Sequence, residues 1–285
     1  MSSIDSQLQN WILQACRVEV LSEKPGNVSP GKSFHDASVD DFLESAVVSA
    51  PWLAQAGSVG VGKAILESAR ATHDVVGHNT NLGILLLLAP MAAVPLDMSL
   101  SEGLPNVLRT LTVEDADWTY QAIRIAEPGG LGESDTQDVQ QPPSETLLQC
   151  MSHAADRDLI AQQYTTNFAD VLGPGVELLN ESAAVVPEAQ RIGFVALRLM
   201  SAFGDSLVAR KCGAAVSQDL QQRAAAVLNA GWPHAESGRR DWSDFDEWLR
   251  SDGNQRNPGT TADMIAAIVF AALRSGKYSV PSELA

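Results

Sequence analysis

The chain has 285 residues, 45% of them hydrophobic, enough to bury a substantial core and with no long stretch of disorder-type composition. Its 19 Lys and Arg against 35 Asp and Glu give a formal charge of -16, which argues against a nucleic-acid backbone as partner, since that contact needs a basic face. A small nucleotide stays compatible, because it feels the local site rather than the net charge.

In chain order, the opening MSSIDSQLQNWILQACRVEV has no basic stretch leading into an apolar one. Leu8, Trp11, Ile12 and Ala15 fall on one helical face, so the segment reads as the first helix of a cytoplasmic protein. Helical patterns follow over about 39–56, 58–72, 80–94, 101–110, 113–126, 157–181, 192–203, 205–229 and 259–275. The run Leu82 to Leu96 is too short for a bilayer and carries Pro90 and Pro95, so it reads as a buried core helix. Strictly alternating Val and Ile runs between turn signals are missing, and no strand is expected. Pro/Gly-rich loops fall at EKPGNVSPGKSF, EPGGLGESDTQDVQQPP and RNPGTT, none with the look of an interdomain linker. The expectation is an all-α fold, a single multi-helix domain over 1–285. Cys16, Cys150 and Cys212 stand far apart, which argues against disulfides and structural zinc.

GSVGVGKA, Gly57 to Ala64, imitates a phosphate loop but ends in Ala64 instead of a magnesium-binding hydroxyl, with no strand before it. Its small residues suit two helices in close approach. Four other clusters invite chemistry. EKPGNVSPGKSFHD, Glu23 to Asp36, is a loop with Lys24 and Lys32 as cations and Asn27, His35 and Asp36 as polar groups. GHNTNLG packs His78, Asn79, Thr80 and Asn81 against an apolar helix with Gly83 in its first turn, more polar residues than one cap requires. FGDSLVARKCG places Asp205 as an N-cap, with Arg210 and Lys211 over a turn later. NPGTTADMIA offers Asn257 as N-cap and Pro258 as first helical residue. Gly259, Thr260, Thr261 and Asp263 follow in a first turn suited to anions.

These segments, in this order, resemble the triphosphoribosyl-dephospho-CoA synthase family. The family's KPG-V loop with a following His and acidic residues resembles Lys24, Pro25, Gly26, Val28, His35 and Asp36. Its NT-KG segment resembles Asn79, Thr80 and Gly83, and its DT helix with a following Arg resembles Asp205, Ser206 and Arg210/Lys211. Its SPGGSADLLA resembles NPGTTADMIA, carried onto Pro258, Gly259, Ala262 and Asp263.

The resemblance implies an all-helical enzyme in which the 2'-hydroxyl of 3'-dephospho-CoA attacks the ribose C1 of ATP and expels adenine. It implies small-molecule substrates, no nucleic acid or membrane partner, and magnesium beside the triphosphate. Asp36, Asp205 and His35 become the expected catalytic residues, with Asp36 and Asp205 as metal ligands. Lys24, Asn27, Asn79, Thr80, Asn81, Gly83, Arg210, Lys211, Gly259, Thr260, Thr261 and Asp263 become the expected ATP-binding residues.

Two departures bear on the acceptor. Asn81 and Leu82 stand where the family has a His-Lys pair, and Ala37 where it has an acid, with Asp36 one position earlier. The segment AIRIAEPGGLGESDTQDV is patterned yet lies outside the matched motifs. Ribosyl transfer to a pterin or one-carbon cofactor precursor, as in tetrahydromethanopterin biosynthesis, is the first alternative. A noncatalytic nucleotide-binding helical protein is the second.

Overall fold

The structure is a computed structural model that describes residues 3–132, 136–282 and 284. Among the described residues it is built from helices and holds no strand, apart from one isolated bridge between Ser29 and Lys32. The first half runs α1 (Ser3–Leu21), α2 (Val39–Leu53), α3 (Ala56–Val59), α4 (Val61–Val76), α5 (Leu82–Ala92), α6 (Leu100–Arg109) and α7 (Val113–Ala126). The second runs α8 (Leu147–Ala154), α9 (Leu159–Thr165), α10 (Val176–Val185), α11 (Arg191–Phe203), α12 (Ser206–Cys212), α13 (Ala214–Asn229), α14 (Glu236–Arg250) and α15 (Gly259–Arg274).

Local chemistry sets many of these starts. Ser38/Asp41, Ser99/Glu102, Thr112/Asp115 and Thr146/Gln149 form reciprocal capping boxes at α2, α6, α7 and α8. Asp158 and Asp205 cap α9 and α12 with their carboxylates. The core centres on α15 and α5, whose residues are buried on nearly every side, as expected for helices apolar all round. α1 and α11 pack on α15, α2 on α1 and α4, and α7 on α4. One continuous cluster of buried apolar side chains runs from Leu8 to Tyr278. Among the described residues no single helix is long and apolar enough to cross a membrane.

Several expected elements are corrected. The pattern over 157–181 breaks into α9, a π-helical turn (Val171–Gly175) and α10, because Asn167 and Phe168 adopt left-handed backbone and Pro174 follows. The pattern over 205–229 breaks at Gly213, whose φ of 94° ends α12 and starts α13. The helices α8 and α14 were not expected. In α14 most positions are charged or polar, and only Trp242, Phe245 and Leu249 supply the buried apolar stripe. The glycines of GSVGVGKA do serve close packing: a Cβ on Gly62 would overlap the Asp115 backbone, where α4 meets α7.

Candidate active site

A cleft of about 590 Å³ opens between the loop after α1, the start of α5, the C-terminal end of α7, α8, α12 and the start of α15. Of the sequence-derived residues it gathers Asn27, His35, Asp36, Asn79, Thr80, Asn81, Gly83, Arg210, Lys211, Gly259, Thr260 and Asp263. Lys24, Asp205 and Thr261 lie outside its lining.

Lys24 is the first correction. It does not sit on a solvated loop: it is 2% exposed and paired with the equally buried Glu19 at 3.1 Å. Its ammonium also donates to the carbonyls of Glu19, Ser22 (2.9 Å) and Val28 (3.5 Å). Burial pushes the Lys24 ammonium down and the Glu19 carboxyl up, while each partner opposes the other's shift. A cation with every proton engaged inside the core cannot hold a phosphate. Its contacts tie the end of α1 to the turn that follows.

Asp205 is the second. It is wholly buried, and its Oδ1 accepts from the amides of Leu207 (3.0 Å) and Val208 (3.1 Å). Its Oδ2 accepts from the Thr261 amide and hydroxyl, both at 2.8 Å. Burial pushes its carboxyl up, and the four donors pull it down. Both oxygens are therefore engaged in joining the start of α12 to the start of α15. The same contact takes the Thr261 amide out of any anion site. Thr260 is likewise engaged: its hydroxyl lies 3.0 Å from that of Ser206 and accepts from the Leu207 amide at 3.2 Å.

The expected metal pair of Asp36 and Asp205 does not form. Asp36 lies on the cleft rim, 67% exposed and 3.4 Å from an equally open His35, whereas Asp205 is sealed in the helix junction. Among the described residues no three His, Cys, Asp or Glu side chains converge as metal ligands. Among the described residues, then, Asp36 and Asp205 do not converge as a magnesium pair.

The stretch 78–81 divides its polar groups among structural partners. Asn79 Oδ1 accepts from the Leu82 amide at 3.1 Å and so satisfies the first amide of α5 from two residues ahead of the N-cap position, Asn81. Thr80 meets Ser45 of α2 at 2.5 Å, and Asn81 donates to Ser49 (3.4 Å) and Thr72 (3.3 Å). His78 stands 4.0 Å from Asp41. The excess of polar residues over one cap is thus explained largely by contacts with α2 and α4. Asn27 is comparable: buried, it donates to the Pro258 carbonyl at 3.3 Å and braces the start of α15 from beneath.

What remains open to the cleft is a smaller set. Asp263 lies one turn into α15, and its carboxylate makes no hydrogen bond among the described residues. A Cβ on Gly83 would overlap that carboxylate, so the glycine in α5 is what admits it. Burial drives the Asp263 carboxyl well above the usual range. Glu19, Asp205 and Asp158 push the same way, and Arg210 opposes them. Arg210 is ion-paired with Asp158 on the cleft wall. Lys211 donates to Asn257 Oδ1 at 3.0 Å, and burial pulls its ammonium below the ordinary lysine value. Asn257, expected to cap α15, is directed to this lysine instead, and Pro258 takes the cap position. A Cβ on Gly259 would strike Leu207 at 2.6 Å, so that glycine serves the packing of α12 on α15.

Sequence reasoning missed Glu19, Asp158 and the loop around Pro128 as parts of the cleft. Asp158 carried a readable signal, an Asp at the start of the 157–181 helical pattern. Glu19 carried none, being one acid within an amphipathic first helix.

A family model for ATP:dephospho-CoA triphosphoribosyl transferase, CitG, matches residues 5–281. The chain belongs to the CitG family. Its members are transferases that move a triphosphoribosyl group from ATP to dephospho-CoA, so this CitG protein is an enzyme of coenzyme biosynthesis of the pentosyltransferase type. A solved structure of a candidate triphosphoribosyl-dephospho-CoA synthase from Archaeoglobus fulgidus shares its fold. The TM-score is 0.66 at 23% identity, over 83% of this chain and 100% of that one. No curated protein matches the chain. The all-helical fold and the family read from the four motifs both stand.

Proposed function

We propose that this CitG-family protein transfers the 5-triphosphoribosyl group of ATP to the 2'-hydroxyl of 3'-dephospho-CoA at the cleft floored by Asp263. The observation that carries this reading is Asp263 itself: a carboxylate facing the cleft, without a hydrogen-bond partner among the described residues and raised in proton affinity. A carboxylate of raised proton affinity is a stronger proton acceptor than one of ordinary pKa. In the step, the acceptor oxygen bonds to ribose C1', its proton passes to Asp263, and the C1'–N9 bond breaks. The bonding pair leaves with adenine, which takes a proton from water. A carboxylate beside C1' also favours the positive charge that develops on the ribose. Arg210 and Lys211 are the cations placed to hold the triphosphate, with Asp158 and Asn257 fixing their directions.

The test is incubation with ATP, magnesium chloride and dephospho-CoA, followed by chromatography for adenine and mass analysis of the acceptor. The expected result is acceptor-dependent adenine with one triphosphoribosyl group added to dephospho-CoA. ATP binding with no adenine released would sink the proposal in favour of a noncatalytic nucleotide-binding protein.

One observation favours a second reading, a less anionic acceptor. Asn81 and Leu82 replace the family's His-Lys pair, Leu82 is buried and Asn81 is turned toward Ser49 and Thr72. Among the described residues Arg157, Arg210 and Lys211 are then the lysines and arginines left on the cleft lining. A hydroxyl-bearing pterin or one-carbon cofactor precursor makes a smaller demand on them than the diphosphate of dephospho-CoA. Adenine release with such an acceptor, and none with dephospho-CoA, would select this reading.

A further inference from the structure

The loop that follows α7 lies outside the family's motifs, yet it reaches the two cleft cations. α7 ends at Glu127, whose left-handed backbone (φ 46°) turns the chain away from the helix axis, and Pro128 cannot continue the helix. Gly129 and Gly130 come next and lie directly on α12. A Cβ on Gly129 would stand 2.7 Å from Lys211 Cε. A Cβ on Gly130 would stand 3.2 Å from Arg210 Cβ and 3.2 Å from Lys211 Cγ, and its φ of 73° itself favours glycine. The Lys211 stem is therefore confined between bare loop backbone on one side and Asn257, which accepts from its ammonium at 3.0 Å, on the other. Arg210 is confined between the same loop and Asp158.

We propose that Gly129 and Gly130 are positioning residues for the triphosphate: their bare backbone presses Lys211 and Arg210 into the directions that meet the anion. The proposal rests on the cleft being the ATP site. Long cationic side chains lose considerable rotamer freedom on meeting a ligand, and confinement beforehand removes part of that cost. The bareness of the loop is the essential property, since any side chain at position 129 must displace the end of the lysine.

The experiment measures binding of inorganic triphosphate, with magnesium chloride present, by calorimetry, together with steady-state kinetics. For Gly129→Ala the expected result is roughly tenfold weaker triphosphate binding, the loss of about one charge-assisted contact. The KM for ATP should rise by a similar factor, with kcat at saturating ATP and the KM for the acceptor nearly unchanged. A merely structural role would move all of these together and lower the melting temperature. If Gly129→Ala is unstable, adding Lys211→Ala removes the atom that the new methyl strikes. The double variant should then melt at the temperature of Lys211→Ala alone, and one no more stable than Gly129→Ala overturns the proposal. Equal triphosphate affinity in the wild type and Gly129→Ala overturns it while leaving the ATP reading intact. A wild-type protein that binds no triphosphate takes both down.

Discussion

Asp205 and Asp263 flank the same helix start and share a residue type, yet their surroundings are opposite. Asp205 receives four hydrogen bonds, two from the start of α12 and two from Thr261 of α15. Asp263, two positions beyond Thr261, receives none among the described residues and faces the cleft. Desolvating an ionised carboxylate costs several kcal/mol unless donors replace the lost water. For Asp205 the four donors offset part of that cost, although burial still holds its carboxyl above the usual range. Asp263 has no such donors, and its carboxyl is pushed well above the usual range, the contrast on which its proposed role as base rests.

The sharpest way to break this contrast is Asp263→Asn. Turnover measured by adenine release should fall roughly 100- to 10,000-fold, the loss of a general base. Its effect on stability has the other sign. A carboxyl whose folded pKa is raised favours the folded state below its unfolded value, and that advantage disappears as pH rises through the folded pKa. At pH 8 the Asn variant should melt a few degrees higher than wild type, and the gain should vanish near pH 4. Turnover by wild type should rise with pH through the same raised pKa. A variant that keeps activity within a factor of ten removes Asp263 from the chemistry.

Lys24→Met should act on stability alone, and nearly as strongly. It strands the Glu19 carboxylate in the core, which costs about 3–5 kcal/mol for a broken buried pair. Urea unfolding would report it, and an unchanged midpoint would place Lys24 back on the surface. Asp205→Asn comes next. It weakens the junction without moving a cleft group, so about 1–3 kcal/mol of stability should be lost, with kcat of the folded protein within a few-fold of wild type. A selective collapse of kcat would return Asp205 to the active site. Smallest is Asn79→Ala, about 1 kcal/mol for the lost bond to the first amide of α5, with ligand-induced stabilisation retained.

The sequence carried the helix periods, the capping signals and the four motifs, because each is a local pattern. It could not carry the sorting of those motif residues into structural and cleft-facing groups. Lys24 and Lys211 look alike in sequence. Only the fold places a buried glutamate beside one and an open cleft beside the other. Gly83 was legible as a site of close approach, but the Asp263 carboxylate that approaches it comes from 180 positions downstream. The breaks at Asn167–Phe168 and Gly213 were hidden for a related reason: an apolar stripe continues across them while the backbone does not.

The bond from the Thr261 amide to Asp205 has a consequence for the dynamics of the cleft. Amides in the first turn of a helix have no intrahelical acceptor and ordinarily exchange their protons with water readily. This one is buried and closed by a carboxylate that belongs to another helix. Its exchange requires α12 and α15 to part, and α12 carries the Arg210 and Lys211 cations while α15 carries Asp263. The rate at which this single proton is replaced by deuterium is therefore a clock for how often these two sides of the cleft separate.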